Sequence, residues 1–174
     1  MTISGVVALL KQHHPRTAKE AEGLGIKIHL LRSGCFRESF LVKGIPVVLK
    51  FPFMQKGGFK GSLLEIWHGR REIAAYLRIE TDPLCKPLRR YMPRLYYTDY
   101  QTGVVAMHKY FVRQGVALYL EAVMTALVRD CLNSRSYDIE GDNVLVDKRG
   151  QLRLVDLGLT SSPAGVHRHA RHIS

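Results

Sequence analysis

The sequence predicts an α+β fold with most of its strands in the first half. Three observations carry this. Runs of β-forming residues recur at 26–31, 38–44 and 45–51, separated by turn residues. One stretch near 117–132 has apolar residues at spacings of three and four. Two short apolar runs, Val144-Leu145-Val146 and Leu152 to Val155, flank a turn at Lys148-Arg149-Gly150. With 174 residues, 46% apolar and 24% charged, the chain is long and apolar enough to bury a real core.

Residues 4–22 read as one or two short helices broken near Pro15, with "EGLG" as the stop. "IKIHLL", "ESFLVKG" and "IPVVLKF" follow as three antiparallel strands, and "QKGGFKG" as a loop. From Ser62 to about Arg78, Leu64, Trp67, Ile73, Ala74 and Leu77 suit a helix. "PRLYYTDY" and "GVVAMHKY" are two more strands joined by "QTG". In the 117–132 helix, Val116, Leu120, Val123, Leu127 and Cys131 form the expected stripe, widened by Leu118, Met124 and Val128. The closing hairpin comes next, and then a tail in which His167, His169 and His172 read as basic residues, not metal ligands.

The net charge of +11 is uneven. Residues 1–116 hold 19 Lys/Arg against 8 Asp/Glu, and residues 117–174 hold 7 of each, so the first two-thirds carry the whole excess. Arg70-Arg71 and "KPLRRYMPR" are its densest points. Such a field attracts acidic protein surfaces first, with nucleic acid as a secondary partner. Cys35, Cys85 and Cys131 are dispersed and odd in number, which argues against a disulfide framework or a zinc site and for a reducing, cytoplasmic setting. "SGVVALL" is too short to span a bilayer and has no basic flank before it, so neither a membrane anchor nor a secretory signal is expected.

Polar residues at fixed places in this order carry the chemistry. "VVLK" ends in Lys50, and "RREIAAYLR" offers Glu72 on the following helix, with Glu65 as the alternative. "RSGCFRESF" places Gly34 between the first two strands, with Arg32 and Arg37 to either side. "YDIEGDN" has the form D-x-x-x-x-N at Asp138 and Asn143, and "VDLG" presents Asp156 18 residues after Asp138. From about residue 25 to 160 this arrangement resembles the protein-kinase-like superfamily, in particular minimal kinases with an abbreviated C-lobe: bacterial effector and phage-type kinases, and atypical kinases of the RIO and KEOPS types.

The resemblance implies a five-stranded antiparallel N-lobe sheet with one main helix, and a truncated, mainly helical C-lobe carrying the catalytic-loop hairpin. It divides the chain into a helical extension (1–24), an N-lobe (25–108), a shortened C-lobe (109–160) and a basic tail (161–174). It implies ATP and Mg²⁺ as cofactors. Lys50 would grip the phosphates, paired with Glu72; Gly34 would lie in the phosphate-covering loop. Met107 would border the adenine pocket, and the backbone from His108 to Tyr110 would hydrogen-bond the base. Asp138 would orient the attacking hydroxyl and accept its proton, and Asn143 and Asp156 would hold the metal through hard oxygen donors.

The chain departs from the family pattern at several points. Ser136-Tyr137 stand where His-Arg is usual, and Glu140 stands where a lysine often touches the γ-phosphate. Two glycines of the phosphate loop are replaced, and nothing after Gly158 corresponds to an activation segment. The expectation is a minimal Ser/Thr protein kinase that recruits its target by surface docking, in the cytoplasm, or in a host's cytoplasm for a secreted effector. A homodimer or a docking partner would complete the C-lobe. The alternatives are a pseudokinase scaffold and an RNA-associated atypical kinase or ATPase.

Overall fold

The computed structural model of the protein describes residues 1–33, 37–52, 63–111, 118–132 and 143–157, those at 63–65 and 118–122 by backbone alone. The described chain is α+β and divides into two compact units. The first comprises Met1–Leu77 and Pro93–Tyr110, the second Arg78–Met92 and Phe111–Ser174.

The first unit opens with α1 (Ile3–His13) and α2 (Ala18–Gly23). Thr2 and Thr17 cap them, each accepting a hydrogen bond from the backbone N–H three residues on. His14 ends α1 in the left-handed region at φ 46°, immediately before Pro15, which could not have continued the helix. These helices are not a separate extension. Val6, Leu10 and Ala21 are buried in one core with Ile26, Val42, Val47, Leu49, Phe51, Tyr97, Val104 and Ala106. Truncating a buried leucine such as Leu10 would cost about 2–5 kcal/mol.

That core lies on one face of a five-stranded antiparallel sheet with order β1-β2-β3-β5-β4. Its strands are β1 (Ile28–Ser33), β2 (Arg37–Val42), β3 (Val47–Pro52), β4 (Leu95–Asp99) and β5 (Val104–His108). The β2–β3 turn contains Gly44 at φ 83°, a conformation glycine adopts without strain. β3 is buried along its whole length because β2 and β5 flank it. Side chains alternate along a strand. Val47, Leu49 and Phe51 join the α1–α2 core, so Val48 and Lys50 project to the opposite face.

α3 (Leu63–Thr81) serves that opposite face. It runs three residues beyond the end expected near Arg78, and its final turn gains an i,i+4 ion pair from Arg78 to Asp82 at 3.4 Å. The phosphate-loop segment also differs from expectation. Arg32 and Arg37 are strand residues, and β1 and β2 are paired as far as Ser33 and Glu38. Only residues 34–36 separate the two strands, and Gly34 lies outside the described residues.

The second unit contains a 3-10 turn at Pro83–Cys85, α4 (Lys86–Arg89), α5 (Leu118–Leu132) and the hairpin β6 (Val144–Val146) with β7 (Leu152–Leu154). The turn and α4 fall in a segment that stands out in the sequence for its basic cluster, with no periodicity to mark a helix. Asp82 caps the turn by accepting from Leu84 N–H at 2.9 Å. The buried face of α5 is set by Met124, Val128, Cys131 and Leu132. Of the expected stripe Met124, Val128 and Cys131 are buried, whereas Val123 is exposed and Leu127 only half-buried; Val116 and the Leu118 and Leu120 side chains lie outside the described residues. Cys85 donates from Sγ to the Cys131 carbonyl at 3.1 Å, so two thiols 46 residues apart are neighbours. Both are free thiols. No helix among the described residues is long and apolar enough to cross a membrane.

Candidate functional site

In the first unit, Lys50 and Glu72 meet on the α3 face of the sheet. Lys50 Nζ donates to Glu72 Oε1 at 3.0 Å, and both residues are nearly inaccessible, at 5% and 2% exposure. Burying charge is costly unless the groups are paired and hydrogen-bonded, and here they are. Tyr76, one helical turn on, donates its hydroxyl to the same Oε1 at 2.8 Å. Arg37 forms an ion pair with Oε2. One carboxylate therefore receives two cations and a phenol. Of the two glutamates the sequence offered, Glu72 is the one on Lys50; the Glu65 side chain lies outside the described residues.

The register of α3 is fixed by close backbone approach. A Cβ on Gly69 would stand 2.6 Å from the Gly103 carbonyl oxygen and 2.8 Å from its Cα. Gly103 closes the β4–β5 turn at φ 73°, where its own Cβ would meet the Ile66 carbonyl at 3.1 Å. Two glycines thus let helix and turn touch. Arg70 secures the contact, donating from Nε to the Tyr100 carbonyl at 2.9 Å and from Nη2 to that of Gln101 at 3.0 Å. Glu72 lies three residues beyond Gly69, which brings it to the sheet-facing side near Lys50.

The same turn is braced from the other face. Asp99 Oδ1 accepts from Gln101 N–H at 2.9 Å and Thr102 N–H at 3.3 Å. Its Oδ2 takes His14 Nδ1 at 3.0 Å and the Tyr97 hydroxyl at 3.2 Å. Burial pushes the Asp99 carboxyl up, but hydrogen bonds from His14, Thr102 and Gln101 outweigh it and hold the carboxyl below its ordinary value. Tyr97 is shifted the other way, raised by burial first and by the adjacent Asp99 charge second.

Met107 is buried in β5, opposite Val48 of β3 and Leu95 of β4. The segment expected to read a base is partly committed already. His108 N–H donates to the Arg94 carbonyl and Lys109 N–H to that of Pro46, both at 2.9 Å. Tyr110 is buried, and its hydroxyl accepts from Arg94 N–H at 2.7 Å. The expectation that backbone from His108 to Tyr110 holds adenine is therefore narrowed: the first two N–H donors are spent within the sheet and its turn.

In the second unit the hairpin register is Val144↔Leu154, Leu145↔Arg153 and Val146↔Leu152. Val155 N–H extends it by donating to the Asn143 carbonyl at 2.9 Å. Asn143 and Asp156 therefore emerge at the same open end of the hairpin, both half-buried. At the closed end, Asp147 accepts from Arg149 N–H and Gln151 N–H through Oδ1 and from Arg153 through Oδ2. Asp147 is a turn residue, as its place in the sequence suggests. Tyr91 and Phe111 hold the hairpin from outside: Leu154 N–H donates to the Tyr91 carbonyl at 2.7 Å, and Phe111 exchanges both backbone bonds with Val146. Asp138, Ser136-Tyr137, Glu140, Gly158 and the histidine tail lie outside the described residues. Among the described residues no group of three or more His, Cys, Asp or Glu is placed to hold a metal ion.

Sequence reasoning missed two contributors. Arg37 stands where a phosphate-loop glycine would fall, with a charge that could replace backbone contacts to phosphate, and its approach to Glu72 has no local signal. The Gly69–Gly103 contact joins residues 34 apart, so neither glycine could be distinguished from an ordinary one. No protein-family model matches the chain, and no curated protein does.

Proposed function

We propose that the protein is an ATP- and Mg²⁺-dependent phosphotransferase with a protein-kinase-like arrangement, acting as a minimal Ser/Thr protein kinase. The observation that carries the reading is the buried Lys50–Glu72 pair, joining the third strand of an antiparallel sheet to the helix after it. A surface lysine would not be buried and fixed in this way. The pair holds an ammonium at a set position, which is what gripping a polyphosphate requires.

The hairpin supplies the second support. Asn143 and Asp156 offer an amide oxygen and a carboxylate at one end of a two-stranded ladder. Hard oxygen donors of this kind fit Mg²⁺, which keeps several waters and takes few protein ligands, so two side chains suffice. When bound, the metal supplies charge neutralisation on the phosphates. Asp138, 18 residues before Asp156, orients the acceptor hydroxyl and takes its proton in this reading. Lys50 holds the phosphates, Glu72 orients Lys50, and Met107 borders the base. The basic excess of residues 1–116 favours an acidic protein partner or substrate, recruited by surface docking.

A second reading, a pseudokinase scaffold, is favoured by Glu140 in the catalytic-loop sequence and by the loss of two glycines from the phosphate loop. One experiment separates the two. Purified protein is incubated with Mg²⁺ and γ-labelled ATP, alone and with a lysate, beside Asp138→Ala. Transfer that disappears in the variant supports the enzyme. ATP-dependent thermal stabilisation without transfer supports the scaffold. Neither transfer nor stabilisation removes the nucleotide from both readings.

A further inference from the structure

Arg37 opens β2, and its side chain is 9% exposed. Its guanidinium donates to the Gly103 carbonyl at 2.8 Å, lies 3.4 Å from the Lys50 carbonyl and pairs with the Glu72 carboxylate. A single side chain thus bridges β2, β3, the β4–β5 turn and α3. The planar fork of arginine suits this, because it can meet a carbonyl and a carboxylate at once, whereas an ammonium on a flexible stem holds neither direction.

The division of labour on Glu72 gives the bridge its meaning. Among the described residues Lys50 and Tyr76 bond to Oε1, and the Arg37 ion pair is made to Oε2. The terminal torsion of a glutamate is broad, so a carboxylate held through one oxygen can swing about its last bond. With Lys50 and Tyr76 bonded to one oxygen and the buried Arg37 charge set against the other, that swing is opposed electrostatically, and Lys50 inherits the preferred direction. We propose that Arg37 is a positioning residue for Lys50: it locks the Glu72 carboxylate so that the ammonium is aimed before any nucleotide arrives. The consequence for nucleotide binding rests on the phosphotransferase reading; the clamp itself does not.

The test uses the full chain with Arg37→Ala, Arg37→Lys, Glu72→Gln and the double variant Arg37→Ala/Glu72→Gln. Mg·ATP affinity is measured by calorimetry, and amide hydrogen exchange is followed from Arg71 to Tyr76. Arg37→Ala is expected to weaken Mg·ATP by about ten-fold and to speed exchange in that segment. Arg37→Lys recovers part of the affinity. In the Glu72→Gln background, removing Arg37 costs nothing further, because Arg37 acts through Glu72. The proposal is overturned if Arg37→Ala binds Mg·ATP as tightly as wild type. It is equally overturned if the loss persists undiminished beside Glu72→Gln, which would make Arg37 a direct phosphate ligand. Should Arg37→Ala fail to fold, Arg37→Lys and Arg37→Gln carry the same comparisons. If wild type binds no Mg·ATP, the phosphotransferase reading falls and exchange alone decides: faster exchange without Arg37 sustains the clamp, and unchanged exchange overturns it.

Discussion

Replacing Gly69 with alanine tests how α3 is seated. The added Cβ would lie 2.6 Å from the Gly103 carbonyl oxygen, 2.8 Å from its Cα and 3.1 Å from its carbonyl carbon. All three are backbone atoms of a tight turn at positive φ, so no flexible side chain can move aside. Ordinary contact requires roughly 3.5–4 Å, so helix and turn must separate by about an ångström. Overpacking of this kind costs about 1–3 kcal/mol, while alanine at a helix interior gains about 1 kcal/mol over glycine. With an immovable backbone on the other side, the overpacking term should sit at its upper end. The net destabilisation is then about 1–2 kcal/mol. Lys50–Glu72 should suffer more than stability does, because an ångström added to a 3.0 Å hydrogen bond breaks it. Urea denaturation provides the measure. Gly23→Ala serves as the control: it also lies in a helix, but its Cβ would meet nothing within 4 Å, so it should be neutral or slightly stabilising. If Gly69→Ala is as stable as Gly23→Ala, the backbone contact does not set the position of α3, and the account of Glu72 fails with it.

Three further outcomes follow from the same geometry. Because Asp99 has a folded pKa below its ordinary value, its stabilisation is present above about pH 4 and is lost as pH falls through the lowered value; Asp99→Asn should flatten that acid limb in a pH series of unfolding midpoints. Burial, and then the neighbouring Cys131, raise the Cys85 thiol to about 11. At pH 8 its thiolate fraction is on the order of one in a thousand, so alkylation of native protein should label Cys85 no faster than unfolding exposes it. Asp147→Ala removes the acceptor for Arg149 N–H, Gln151 N–H and Arg153, so amide exchange at Val146 and Leu152 should accelerate while β1 to β5 are unaffected.

The sheet was legible because its strands announce themselves locally. "IPVVLKF" is a run of β-formers bounded by Gly44 before and Pro52 after, and the observed β3 differs only at its ends. Lys50 was legible for a different reason: "VVLK" resembles the third-strand V-A-I-K of the kinase-like superfamily, which implies a carboxylate partner on the following helix, where Glu72 and Glu65 stand. Properties that depend on a third element were not legible. The buried face of α5 is decided by what packs on it, so periodicity drew the stripe too wide, taking in Val123 and Leu127 beside the buried Met124, Val128 and Cys131. α4 is four residues long, with Pro87 in its first turn, too short for any period to appear. Cys85 and Cys131 looked dispersed because spacing along the chain says nothing of the turn and helix that bring them together. Arg37 reads from the sequence as a charge facing phosphate, because the carbonyl and carboxylate it serves come from residues 103 and 72.

The strand order carries a consequence for synthesis. β5 lies between β3 and β4, yet it is made more than fifty residues after β3. A nascent chain that has reached only Met92 therefore presents the Val47–Lys50 backbone as an open edge, with the apolar side chains of the most buried strand beside it. Such an edge templates pairing with other chains, and the long wait for its partner slows closure. A fragment meant to isolate the sheet must run through His108, and one that stops earlier should accumulate as β-rich aggregate.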